Sequence, residues 1–144
     1  MDLFDRFKIV HMACFQTALS ELKSGKKKTD WMCFVFPQIS GLRKDPFSEL
    51  YSIGDVREAK MFLDDPEFGE DVILAATSLA ELPTYDPVSI FGPEDSEQLR
   101  SSMTLFLAAD PDARIFRIVL DKFFDGKADV DTIKIIERQS RGYM

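Results

Sequence analysis

The chain has 144 residues, 45% of them apolar and 12% aromatic, with thirteen Phe and a net charge of −7. That length is one domain's worth and can bury roughly 68–70% of its unfolded surface. So aromatic a composition excludes a disordered chain. The charge is uneven: residues 1–44 hold eight Lys/Arg and four Asp/Glu, net +4, while residues 45–144 hold ten and twenty-one, net −11.

The opening stretch, "MDLFDRFKIV", has no basic region followed by a long apolar run, so no secretory signal is expected. Nor does any uncharged apolar run approach the eighteen or so residues of a membrane span. A cytoplasmic protein without membrane contact is the expectation. Phe4, Phe7, His11, Cys14, Ala18 and Leu22 step by three or four, one stripe of a long helix that stops near Gly25. "KSGKKK", from Lys23 to Lys28, falls at that helix's end, where the dipole favours cations, and reads as a solvated terminus. Four lysines are too narrow a basic face for nucleic acid, which is not an expected partner.

In "TDWMCFVFPQISG", residues 29–41, Thr29 is expected to cap a short helix from Asp30 that Pro37 halts. Trp31, Phe34 and Val35 lie on one side, Met32 and Phe36 near the other, and a helix apolar all round is a buried one. A short buried strand at "VFP" is the alternative. Further on, Asp-Pro occurs at 45–46, 65–66, 86–87 and 110–111. An N-cap carboxylate followed by proline at the first helical position starts a helix, so four starts are predicted. Asp55 with Glu58 adds a fifth in capping-box spacing.

Val72, Ala75, Ala76, Leu79 and Leu82 form a second stripe. Leu99, Met103, Phe106 and Leu107 form a third, and Phe116, Val119, Leu120, Phe123 and Phe124 a fourth. Gly54, Gly92 and Gly126 stand where helices should end. Period-two alternation and hairpin turns are missing. The reading is a single all-α domain over residues 1–144 with about seven or eight helices, several of them short.

The common catalytic signatures are absent: no glycine-rich phosphate loop, no HExxH and no GxSxG. Cys14 and Cys33 form no CxxC and read as small buried thiols, so no metal and no cofactor are expected. With one histidine in the chain, catalytic residues stay unassigned.

Three features stand above background. His11 sits within an apolar helical stripe, where a hydrogen-bonded core histidine is the commoner arrangement. Gln38 follows the Trp/Phe block and can cap a turn or face a ligand. In "LRSSMTLF", Arg100, Ser101 and Ser102 precede an apolar run, suited to a phosphate or carboxylate, or to an ion pair and back-bonded hydroxyls.

"DWMCFVFPQISGL", "IFGPEDSEQLRSSMTLF" and "LDKFFDGKADVDTIKII" together resemble an uncharacterised bacterial family, domain of unknown function 1810. The resemblance covers nearly the whole chain and implies a mainly helical fold like that of a Mycobacterium tuberculosis member. Some members carry the label calpastatin, yet true calpastatins are polar, disordered chains, unlike this Phe-rich one. Trp31, Phe34, Phe36, Pro37, Gln38, Tyr51, Arg100, Ser101, Ser102 and Thr104 match the family pattern. Four positions depart from it: Asp30 replaces a His, Cys33 a Trp, His11 a Gln and Gln98 a Lys.

The resemblance implies no established activity. The leading expectation is a module that binds an anionic small molecule or a protein, through Arg100, Ser101, Ser102 and Gln38 beside His11, Trp31 and Tyr51. The alternative is a hydrolase or glycosidase acting on a nucleotide-derived anion. There Arg100 would hold phosphate, Trp31 or Tyr51 would stack on a base, and Asp30 or Glu58 would act as general base. A third reading is an interaction protein whose acidic surface beyond residue 44 meets a basic partner. Oligomeric state is left open by the sequence.

Overall fold

The computed structural model describes residues 4–142. Among them the chain forms nine helices: α1 (Asp5–Ser24), α2 (Met32–Val35), α3 (Pro46–Leu50), α4 (Val56–Asp64), α5 (Phe68–Ala80), α6 (Pro87–Phe91), α7 (Pro93–Ala109), α8 (Arg114–Phe124) and α9 (Val130–Arg141). The count exceeds the expected seven or eight because α2, α3 and α6 are single turns of four or five residues. No strand occurs among the described residues, where one isolated parallel bridge joins Ile39 to Ile53. No described helix is long and apolar enough to cross a membrane.

α7 is the central element. It packs against α4, α6, α8 and α9, and from Leu99 to Phe106 only Arg100 is not buried. α5 joins it through α4 and α8 and in turn carries α1. The phenylalanines form a continuous seam through these helices. Phe62 stacks on Phe68 at 5.1 Å and meets Phe7 at 5.5 Å and Phe106 at 5.7 Å, and Phe106 meets Phe116 at 5.5 Å. Such pairs add roughly 0.5–1.5 kcal/mol each beyond their buried area. Gly69 lets α5 close on the end of α4, since a Cβ there would lie 1.9 Å from the Leu63 carbonyl oxygen.

Three of the predicted starts hold as drawn. Asp45 and Asp86 cap α3 and α6 ahead of a proline, and Asp55 accepts the Glu58 N–H at the start of α4. Asp65 accepts the amides of Glu67 and Phe68, so its Pro66 lies in a turn and α5 begins after it. Asp110-Pro111 does not start a helix. Asp110 ends α7, and its carbonyl takes the Ala113 N–H in a tight turn before α8. Gly54 likewise is no helix end, because α3 already stops at Leu50 and Gly54 only precedes the Asp55 cap. Asp129, which has no proline after it, caps α9 by accepting the Thr132 N–H.

Thr29 is not a helix cap. Its hydroxyl and amide both turn back to Glu21 on α1, and Trp31 takes the position ahead of α2. Nor is "KSGKKK" wholly solvated, since the Lys27 side chain is only 10% exposed.

Candidate functional site

α1 ends at Gly25, whose φ of 82° is open to glycine at little cost. The chain then folds back over the last turn of α1. Glu21 organises this return: Oε1 accepts from the Lys28 amide (2.7 Å), the Thr29 amide (3.1 Å) and Trp31 Nε1 (2.8 Å), and Oε2 accepts from the Thr29 hydroxyl (2.8 Å). Burial works to raise the pKa of this carboxyl. The bonds from Lys28, Trp31 and Thr29 outweigh it and hold the pKa at about 2 against an ordinary 4.5.

The turn places Lys27 over the Trp31 ring, 5.4 Å from its centroid, and 2.9 Å from Asp95 in the first turn of α7. Beyond α2, the Ser40 amide donates to the Ile53 carbonyl (2.7 Å) and the Ile53 amide to the Gln38 carbonyl (2.8 Å). Those two bonds pin the backbone around Gln38, and Gly41, with φ of 90°, turns the chain toward Arg43.

Two adjoining cavities result. One, of about 380 Å³, is bounded by Lys27, Asp30, Trp31, Cys33, Phe47 and Asp95 among others. The second, of about 430 Å³, is bounded by Gln38, Leu42, Glu94, Glu97, Ser101 and Asp131 among others. Arg43 and Gln98 line both, so the two form one groove along the N-terminal half of α7.

The polar groups of this groove are incompletely paired. Gln98 is 4% exposed; its amide nitrogen donates to the Phe36 carbonyl (3.3 Å) and approaches Cys33 Sγ (3.7 Å), and its oxygen has no partner among the described residues. Gln38 is 8% exposed, and neither atom of its side-chain amide has a partner among the described residues. Arg43 makes no ion pair or hydrogen bond among them either. Asp45 has a lowered pKa chiefly because the Ser48 amide and hydroxyl bond to it, with a smaller contribution from the Arg43 charge.

Of the residues singled out in sequence, Gln38 and Ser101 meet in the second cavity and Trp31 lines the first. Trp31 is only 1% exposed and offers no open face. The Ser101 hydroxyl donates to the Glu97 carbonyl. Arg100 lines neither cavity: its guanidinium pairs with Glu97 at 2.8 Å and lies over Phe124 at 5.1 Å. Ser102 is fully buried, and its hydroxyl has no partner among the described residues.

Tyr51 lines neither cavity, but packs its ring on Phe34 (4.9 Å) and Phe47, which border the first, and on Phe7. His11 lies on the buried face of α1, its Nε2 2.7 Å from Asp71 Oδ2 and its ring stacked on Phe15 at 5.1 Å. Lys27, Arg43 and Asp95 were not found in sequence. Lys27 was hidden inside a lysine run, and Arg43 and Asp95 belong to no periodic pattern. Asp30, Cys33 and Gln98 all border the first cavity. Among the described residues, no group of three or more His, Cys, Asp or Glu could hold a metal ion.

The model of a protein family of unknown function, DUF1810, matches residues 2–136. The chain belongs to the DUF1810 family. Its fold is similar to the crystal structure of the conserved hypothetical protein Rv1873 from Mycobacterium tuberculosis. The TM-score is 0.91 and the identity 32%, over 94% of this chain and 99% of that one. None of the curated proteins compared matches this DUF1810 chain.

Proposed function

We propose that the groove beside α7 binds an anionic small molecule, and that the protein acts as a binding module. The observation that carries this reading is Gln38. The residue is nine-tenths buried, yet neither atom of its amide bonds to a described residue and neither is sealed from solvent, so the amide faces the groove with its hydrogen-bonding capacity free. A ligand that meets this amide takes the place of water at a donor and an acceptor already held in position. Arg43, which makes no ion pair or hydrogen bond among the described residues, stands at the junction of the two cavities and supplies the charge for a carboxylate or phosphate. The volumes lie at the lower end of the range for small-molecule sites.

The hydrolase alternative retains one supporting feature, Asp30, which borders the first cavity without a partner among the described residues. Glu58 borders neither cavity.

A thermal-shift screen tests the binding reading, with small carboxylates, sugar phosphates and nucleotides at millimolar concentration. A ligand at about 100 times its dissociation constant adds roughly 2.7 kcal/mol to stability. The expected result is a shift in the wild type that disappears in Gln38→Leu and Arg43→Ala, both still folded. A shift that survives both substitutions, or none with any compound, overturns the assignment.

A further inference from the structure

The two ends of the groove differ in charge, and the difference selects among anions. The second cavity is bounded by four carboxylates, Glu94, Glu97, Asp129 and Asp131, against the single guanidinium of Arg43. Two of the four are already engaged. Glu97 pairs with Arg100, and Asp129 accepts the amide and hydroxyl of Thr132. Glu94 and Asp131, in the first turns of α7 and α9, have no partner among the described residues.

A polyanion such as a nucleoside di- or triphosphate placed at Arg43 would bring several negative charges against this wall. Like charges a few ångströms apart repel by about 1 kcal/mol even in water, and by about 4 kcal/mol near a protein surface. A ligand with one anionic group and one ammonium has no such conflict.

Gln38 narrows the chemistry further. Its amide presents a donor and an acceptor side by side, and the unpaired Gln98 oxygen adds a second acceptor in the same groove. The group that answers a donor–acceptor pair with its own acceptor and donor is another amide.

Resting on the anion-binding reading above, we infer that the groove takes a zwitterionic amide, of the amino-acid-derived or short-peptide class. Its carboxylate lies at Arg43, its amide at Gln38 and its ammonium toward Glu94 and Asp131.

The test uses alanylalanine, its N-acetyl derivative and its C-terminal amide in isothermal titration against the full chain. Removal of either terminal charge is expected to weaken binding by about tenfold or more. The double variant Glu94→Gln, Asp131→Asn is expected to bind the free and N-acetylated forms equally, because the carboxylates that tell them apart are gone. Equal binding of these two forms by the wild type overturns the zwitterion and leaves the anion at Arg43 standing. Equal binding of the free and amidated forms, or an Arg43→Ala variant with undiminished affinity, takes down the anion-binding reading as well. No binding of any of the three overturns the peptide class, while the anion screen decides the broader reading separately.

Discussion

Glu21 offers the sharpest test of how the groove is held. Glu21→Gln keeps the shape of the side chain: one oxygen still accepts from Lys28, Thr29 and Trp31, and the new NH₂ faces a Thr29 hydroxyl able to accept. What it removes is the negative charge. A pKa of about 2 in the fold against an ordinary 4.5 corresponds to roughly 3 kcal/mol. Because the folded value is depressed, this contribution is fully present above about pH 4.5 and is lost as the pH falls toward 2. Urea unfolding of wild type and variant should therefore differ by about 3 kcal/mol at pH 7 and by about half of that at pH 3. Taking the difference between the two proteins cancels every other carboxyl that titrates in the same range. A gap below about 1 kcal/mol at pH 7, or one unchanged at pH 3, would refute the argument that the hydrogen-bonded charge stabilises the turn.

Other substitutions probe the packing around the site. Gly69→Ala should cost about 3 kcal/mol or more in urea unfolding, because the new methyl meets backbone of α4 and not a yielding side chain; a loss under about 1 kcal/mol would show that α4 and α5 separate freely. Ser102→Ala should leave the melting temperature unchanged or raise it, since it deletes a buried hydroxyl without a partner. A clear drop would mean that the hydroxyl is satisfied in solution. Arg100→Ala should cost about 1 kcal/mol or less and leave ligand-induced thermal shifts intact, its partner Glu97 being exposed and its guanidinium outside the groove. Loss of the ligand response in a folded Arg100→Ala protein would move the site onto the other face of α7.

The residue pattern of the groove was only partly legible. Gln38 stood out because a glutamine directly after a Trp/Phe block and a proline is an unusual polar punctuation, and it does border a cavity. The triplet Arg100, Ser101, Ser102 looked like one constellation. Successive residues of a helix point about 100° apart, so the three diverge: Arg100 toward Phe124, Ser101 toward the groove and Ser102 into the core. Lys27 was read as solvated because nothing in a run of lysines marks which one folds under. That choice follows from Gly25, from the four bonds to Glu21 and from Asp95 nearly seventy positions away.

What the amino-acid order determined by itself is local. Helical stripes, aspartate caps and the all-α class depend on contacts within a few residues, and physical chemistry writes them at fixed spacing. At Thr29 a competing partner, Glu21 on α1, takes the residue away from the cap, whereas Asp110-Pro111 closes α7 in a local turn instead of opening a helix. The groove belongs to the tertiary structure alone. The loop that carries Gln38 and Arg43, Gln98 on α7 and Asp131 on α9 are three separate segments, and only the burial of α7 among its neighbours brings them around one space. No spacing along the chain encodes that meeting, because it results from the packing of side chains far apart in sequence.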